Sequence, residues 1–184
     1  MWNQRHLFIE NSYYHIYNRG YNKTQIFHNL NDYSLFINLL MKYLYEYPEI
    51  WLVSYTVLPN HFHLIVKIIA KWNNVSNFMR KLQWIYATVF RFKYPILWKC
   101  PVFEWRFKSK LIYSEEYFLK CQAYVNYNAI KHKLVENIAD WPYTSYHNIS
   151  DIWKFLFFKS KLIDFSKEVI DYIDVDLDIW VDDE

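Results

Sequence analysis

A single glycine in 184 residues constrains this chain more than any other feature of its sequence. At an average usage of ~7 % a chain of this length would carry roughly 13. Glycine is the default wherever backbone must turn left-handed or come close to a ligand. Phosphate loops and dinucleotide fingerprints need several glycines within a short span, so neither can exist here. Collagen-like repeats and Gly/Ser linkers are excluded for the same reason. Turns must instead come from other residues, and Pro59-Asn60 and Asn73-Asn74 carry that signal.

The rest of the composition suits a packed core. Hydrophobic residues make up 53 % of the chain and aromatic residues 22 %, and the length fits one domain with an extension. Cys100 and Cys121 have neither CxxC nor zinc-finger spacing. They read as two reduced, partly buried thiols of a cytoplasmic protein. Met1 to Ser12 has no apolar core of signal-peptide length, and no apolar stretch approaches the ~18 residues of a membrane span. A membrane is therefore not an expected partner.

The net charge of +2 conceals an asymmetry. Residues 164–184 hold nine acidic residues and one basic, whereas residues 1–163 hold 20 basic and 10 acidic. Residues 67–110 carry 10 Lys/Arg, among them Arg80, Lys81, Arg106 and Lys108, against one carboxylate, Glu104. Tryptophans, phenylalanines and tyrosines interleave them. Cations reward phosphate binding through counterion release, and unpaired bases stack on aromatic faces. Single-stranded nucleic acid and a solvated basic face over an aromatic core both fit this segment.

Hydrophobic periodicity orders the elements. Tyr13 to Asn18 reads as a strand. Asn31 to Tyr45 reads as an amphipathic helix capped by Asn31 or Asp32. Ile50 to Leu58 and His61 to Ile69 flank the Pro59-Asn60 turn as an antiparallel hairpin. Val75 to Lys93 is a second helix, Val102 to Ile112 a strand, and Glu115 to Ile130 a helix that starts at Ser114-Glu115-Glu116. The order β-α-β-β-α-β-α predicts an α+β fold. It is a ferredoxin-like split βαβ antiparallel sheet with helices on one face, plus a helix after the last strand and a C-terminal extension.

Leu58-Pro59-Asn60-His61-Phe62-His63-Leu64 carries the chemistry. On a strand His61 and His63 share one face and Phe62 and Leu64 the other. Two adjacent imidazoles are plausible metal ligands, although His-x-His by itself fits a structural pair equally well. On the last helix Tyr124 and Asn128 lie one turn apart on one face. Asn128 offers a carbonyl oxygen and Tyr124 a phenol. His, His and Asn with open positions suit Mg²⁺ or Mn²⁺ handling a phosphate. Zinc suits the set less, because no cysteine joins it. A tyrosine that simply packs helix on sheet is the other reading of Tyr124.

These segments resemble the single-tyrosine transposases of the HUH superfamily, the insertion-sequence-200-like group, and in particular the REP-associated tyrosine transposases. The matching segments are Tyr14-His15-Ile16-Tyr17-Asn18-Arg19-Gly20, Leu58 to Leu64, Val102 to Ser109, Tyr124-Val125-Asn126-Tyr127-Asn128 and Trp141-Pro142-Tyr143-Thr144-Ser145-Tyr146. They occur in the family's order over about residues 13–148. Two departures stand out. Ala129 follows Asn128 where the family usually has proline, and Cys100-Pro101 stand where it often has a glycine.

The resemblance implies a domain over residues 1–150 that cuts and rejoins single-stranded or hairpin-bearing DNA, followed by an extension over 151–184. It implies that Tyr124 attacks a phosphate to form a 5′-phosphotyrosyl intermediate, with Mg²⁺ or Mn²⁺ held by His61, His63 and Asn128. Arg19, Gly20, Arg80, Lys81, Arg106 and Lys108 become candidate DNA contacts. Arg106 and Lys108 are expected on one strand face. Gly20, ending the first strand, is expected to need positive φ or close approach to a DNA phosphate. A non-catalytic, host-adopted nucleic-acid-binding module on the same scaffold is the alternative. Monomer and homodimer are both open. The acidic end either mimics DNA in the basic cleft or is a solvated terminus. If it occupies the cleft, truncation after Asp164 raises DNA affinity at low salt, and unchanged affinity indicates the solvated terminus.

Overall fold

The computed structural model describes residues 8–95 and 100–148. The extension over 151–184, with its acidic end, lies outside the described residues. Four strands, β1 (Tyr13–Arg19), β2 (Ile50–Leu58), β3 (His61–Ile68) and β4 (Lys108–Ile112), form one sheet in the order β2-β3-β1-β4. Every neighbouring pair is antiparallel. Helices α1 (Leu30–Glu46) and α2 (Val75–Lys93) follow β1 and β3, and α3 (Glu115–Lys131) follows β4. This is the expected ferredoxin-like arrangement. No described helix is long and apolar enough to cross a membrane.

The period of two along each strand divides the sheet into two faces. Tyr14 and Ile16 of β1 and Phe62, Leu64, Val66 and Ile68 of β3 face α1 and α2. There they meet Tyr33, Phe36, Leu40 and Tyr43 of α1, and Phe78, Met79, Leu82 and Tyr86 of α2. Those positions recur at three or four residues, which is one buried stripe per helix. The opposite face carries a smaller cluster, in which Ile65 and Ile112 meet Cys121 and Val125 of α3. Thus α1 and α2 share one face as expected, and α3 covers the other.

α1 is capped two or three residues earlier than the sequence indicates. Asn29 accepts from the amides of Asn31 and Asp32, at 3.1 and 3.3 Å. Asp32 returns a bond to the Asn29 amide, closing a capping box. Asp32 also pairs with Lys93 Nζ at 2.6 Å, joining the start of α1 to the end of α2. Ser114 caps α3 by accepting from the Tyr117 amide. Asn74 holds the N-cap position of α2 without a side-chain cap bond. Ala129 lets α3 continue past Asn128 to Lys131, as expected where proline is replaced.

The expected strand over Val102 to Ile112 is interrupted. Phe103 bridges Gly20 and Lys108 pairs with Tyr17, so the stretch leading into β4 has two more residues than the end of β1 opposite. The surplus loops outward, leaving Trp105 92 % exposed and Arg106 exposed beside it. Arg106 is therefore out of the sheet and does not share a strand face with Lys108. The cysteines also differ from expectation. Both are free, but Cys100 is exposed and only Cys121 is buried.

Left-handed backbone is taken by Asn11, Asn22, Lys23 and Lys133, whereas Gly20 sits at φ −62°. Positive φ is therefore not what retains the glycine. A Cβ at position 20 would lie 2.1 Å from the Thr24 carbonyl oxygen and 2.9 Å from Ile26 Cγ2. The close approach is to the chain's own backbone. The Gly20 amide also donates to Asn60 O at 2.7 Å, fastening β1 to the β2–β3 turn. Gly20→Ala should destabilise the fold by about 1–3 kcal/mol through this overlap. Urea unfolding checks it, and an unchanged midpoint contradicts it.

Candidate active site

Register brings the histidines together. In the β1–β3 ladder Tyr17 lies opposite His63, Arg19 opposite His61 and His15 opposite Ile65. All of these belong to the face that α3 covers. His15 was not singled out in the sequence, yet its Nε2 lies 2.9 Å from His63 Nδ1 in a buried hydrogen bond. The two rings stack at 5.0 Å. His63 Nε2 is buried and has no hydrogen-bond partner among the described residues. When His63 Nδ1 carries the shared proton, Nε2 presents a lone pair to the site.

His61 is oriented in the same way. Its Nδ1 lies 2.6 Å from Asn60 Oδ1, an oxygen that can only accept. Nδ1 therefore holds the proton and Nε2 holds the lone pair. That lone pair sits 3.4 Å from Asn128 Oδ1, so two acceptors face each other. A cation between them would satisfy both. Hydrogen-bonding the far nitrogen of a ligand imidazole is the usual way to fix its tautomer. Among the described residues no three His, Cys, Asp or Glu groups are arranged to hold a metal. The donor set that fits an ion here is His61, His63 and the Asn128 carbonyl.

Tyr124 stands beside this set. Its ring is 5.2 Å from that of His63 and 6.0 Å from that of His15. Tyr124 and Asn128 of α3 and its C-cap His132 follow at successive i+4 steps, and the His132 ring lies 5.0 Å from that of His61. Asn126, buried on the same helix, accepts from Ser54 Oγ of β2 at 3.0 Å. Ser54 also bonds Ser145 Oγ, and Ser145 accepts from the Tyr55 amide. The segment after α3 thus binds along β2, with the Val57 amide donating to Tyr143 O and Trp141 Nε1 to Val57 O. These polar ties hold Tyr124 and Asn128, the residues on either side of Val125 to Tyr127, over the histidines.

The predicted basic residues divide. Lys108 Nζ stands 5.8 Å from the Tyr17 ring, on the site's face. Arg19 lies opposite His61 and pairs with Glu104 at 2.8 Å. Gly20 follows it at the edge of the site. Arg80 and Lys81 are on α2, behind the sheet. Arg80 reaches Asn77 and Lys81 pairs with Glu46. Lys110 and Lys131, which the sequence did not single out, do reach the site: Lys110 is opposite His15, and Lys131 Nζ is 5.5 Å from the Tyr124 ring. Periodicity on β4 from Tyr17's partner, and on α3 from Asn128, would have located both.

The model of the family described as "Transposase IS200 like" matches residues 8–128. The chain belongs to the IS200-like transposase family. It is 27 % identical over 128 residues to a Haemophilus influenzae chain with the provisional name REP-associated tyrosine transposase. That match covers 64 % of this chain and 71 % of the relative. A solved structure of a REP-associated tyrosine transposase bound to a REP hairpin superposes with a TM-score of 0.67 at 19 % identity. It covers 90 % of this chain and 95 % of that one. The fold of this family member is thereby the fold of that transposase.

Burial sets the charge of the site. It pushes His15 down to about 3, helped by the Lys110 charge. It pushes His61 down to about 3, with His132 adding to the shift and the Asn128 oxygen, which would accept from the protonated ring, opposing it. His63 is held well below its ordinary value, again chiefly by burial and then by His61. At His15 and His61 the unfolded chain takes up a proton near 6.5, while the folded chain refuses it until near 3. The unfolded state therefore binds more protons between those values, and stability falls as pH drops through that window. Each histidine contributes a slope approaching about 1.4 kcal/mol per pH unit. Urea midpoints in a chelator should fall from pH 7 to pH 5, and a flat profile contradicts the neutral cluster.

Proposed function

We propose that this transposase-family chain is a single-stranded DNA endonuclease and strand transferase whose nucleophile is Tyr124. The observation that carries the reading is the placement of the Tyr124 ring against His63, with His61 and Asn128 beside it. A tyrosine ring, two neutral imidazoles and an amide oxygen thus stand side by side on one face of the sheet. The hairpin-bound structural relative supports hairpin DNA as the substrate.

His61, His63 and Asn128 would hold a Mg²⁺ or Mn²⁺ ion. The buried, unpartnered His63 Nε2 and the facing acceptors of His61 and Asn128 fit such an ion. Bound there, it would polarise the scissile phosphate and offset charge on its oxygens. The protein's own groups do the rest. Tyr124 Oη forms a bond to phosphorus as the P–O3′ bond breaks. The phenol loses its proton, and the departing O3′ gains one. The products are a 5′-phosphotyrosyl enzyme and a free 3′-OH. Another 3′-OH can later displace the tyrosine and rejoin the strand, so the bond energy is conserved without hydrolysis. Asn60 keeps His61 in the tautomer that points its lone pair inward, and His63 takes the same form when its Nδ1 donates to His15. Arg19, Lys108 and Lys110 border the same face and supply phosphate contacts.

Tyr124→Phe should abolish the denaturation-resistant adduct with a hairpin-bearing single-stranded oligonucleotide while binding stays near the parent's. An adduct formed by the Phe variant would falsify the assignment. His61→Ala should reduce divalent-dependent cleavage by more than the roughly 10–100-fold that loss of an outer-shell partner costs. Undiminished cleavage removes the metal assignment. Binding by the parent without any adduct identifies the chain as a binding module.

A further inference from the structure

One charged atom at this site is left unexplained by the ligand set and the nucleophile. Lys131 closes the last turn of α3, three residues after Asn128. Its Nζ is buried, and it has no hydrogen-bond partner among the described residues. Burial of an ammonium without an anion is costly, and buried cations are paired as a rule. Other described lysines with short contacts follow that rule: Lys93 has Asp32, Lys81 has Glu46 and Lys120 has Glu116. Around Lys131 stand the Tyr124 ring at 5.5 Å and the imidazoles of His63 and His132, on which its charge acts. None of these groups is a carboxylate.

The C-terminal end of a helix favours a cation, which explains why Lys131 tolerates its place but leaves its three N–H donors unused. A phosphate oxygen arriving at Tyr124 would fill that gap. We propose that Lys131 is a substrate-contacting residue that binds the DNA phosphate presented to Tyr124. The proposal rests on the reading of Tyr124 as nucleophile and adds a cation to its side of the site. Lys131 would neutralise the phosphate as it approaches and hold it against the phenol. The bare ammonium would exchange its desolvation penalty for a charge-assisted hydrogen bond.

Salt dependence separates this role from packing. The full-length chain would be titrated with a hairpin oligonucleotide bearing a single-stranded 5′ flank, at constant Mg²⁺ and varied monovalent salt. Lys131→Met keeps the aliphatic stem against Tyr124 and removes the charge, and Lys131→Gln is a second neutral variant should Met fold poorly. Loss of one phosphate contact should reduce the slope of log Kobs against log salt by about 0.7–1. Lys131→Arg should restore the parent slope. A lysine that only packs would lower affinity or thermal stability and leave the slope as it was. An unchanged slope in both neutral variants, with the parent adduct intact, overturns the proposal alone. An adduct surviving Tyr124→Phe removes the nucleophile and leaves the slope comparison standing. A parent that binds no single strand overturns both.

Discussion

The pairing of β1 with β3 is the constraint on which the rest of this structure depends. Side chains alternate along a strand, so a slip of one residue would exchange the two faces of the sheet. The observed register sends Tyr14 and Ile16 with Phe62 and Leu64 into the core under α1 and α2. The same register sends His15, Tyr17, His61 and His63 to the other face. Core and site are thus alternate positions of the same two strands. The apolar set enforces the register, and the histidines follow from it. The Pro59-Asn60 turn adds a second restraint, because Pro59 O accepts from both the Ile26 and Phe27 amides while Asn60 O accepts from Gly20.

Burial then determines what those histidines can do. In water an imidazole titrates near neutrality, but desolvation keeps His15, His61 and His63 uncharged over the whole physiological range. Neutral imidazoles are ligands, whereas protonated ones repel a cation. Positive charge stays at the margins, on Arg19, Lys108, Lys110 and Lys131, where an incoming phosphodiester would meet it. The site therefore combines a neutral, electron-rich centre with a cationic surround. That division suits a phosphate held between a metal and a phenol, and it accounts for the absence of any need for glycine-lined phosphate loops.

Much of this was legible along the chain. Alternation located β2 and β3, helical spacing located α2 and α3, and spacings of two and four placed His61 with His63 on one strand face and Tyr124 with Asn128 on one helix face. The structure departs from local pattern where distant backbone decides. Asn29 outcompetes Asn31 and Asp32 as the cap of α1 because Asp32 is engaged as the box partner and by Lys93. Arg106 leaves the sheet because β1 offers two fewer residues than the strand opposite it. Gly20 is required by the Thr24 carbonyl and not by its own φ. Arg80 and Lys81 belong to a basic segment in sequence but lie behind the sheet in space.

By itself the sequence determined the element order, the two-faced character of each strand and the identity of the phenol, imidazoles and amide available for chemistry. These are local properties, set by periods of two and 3.6 and by side-chain type. Tertiary structure alone decided that His15 would meet His63, that Asn126 would tie α3 to Ser54, and that Lys131 Nζ would be buried beside Tyr124 with no hydrogen-bond partner among the described residues. The first two join groups far apart in the chain, His15 and His63 by 48 residues and Ser54 and Asn126 by 72. Periodicity can say which face a side chain takes. It cannot say which distant face it will meet, because that depends on how the sheet and its three helices close around one another.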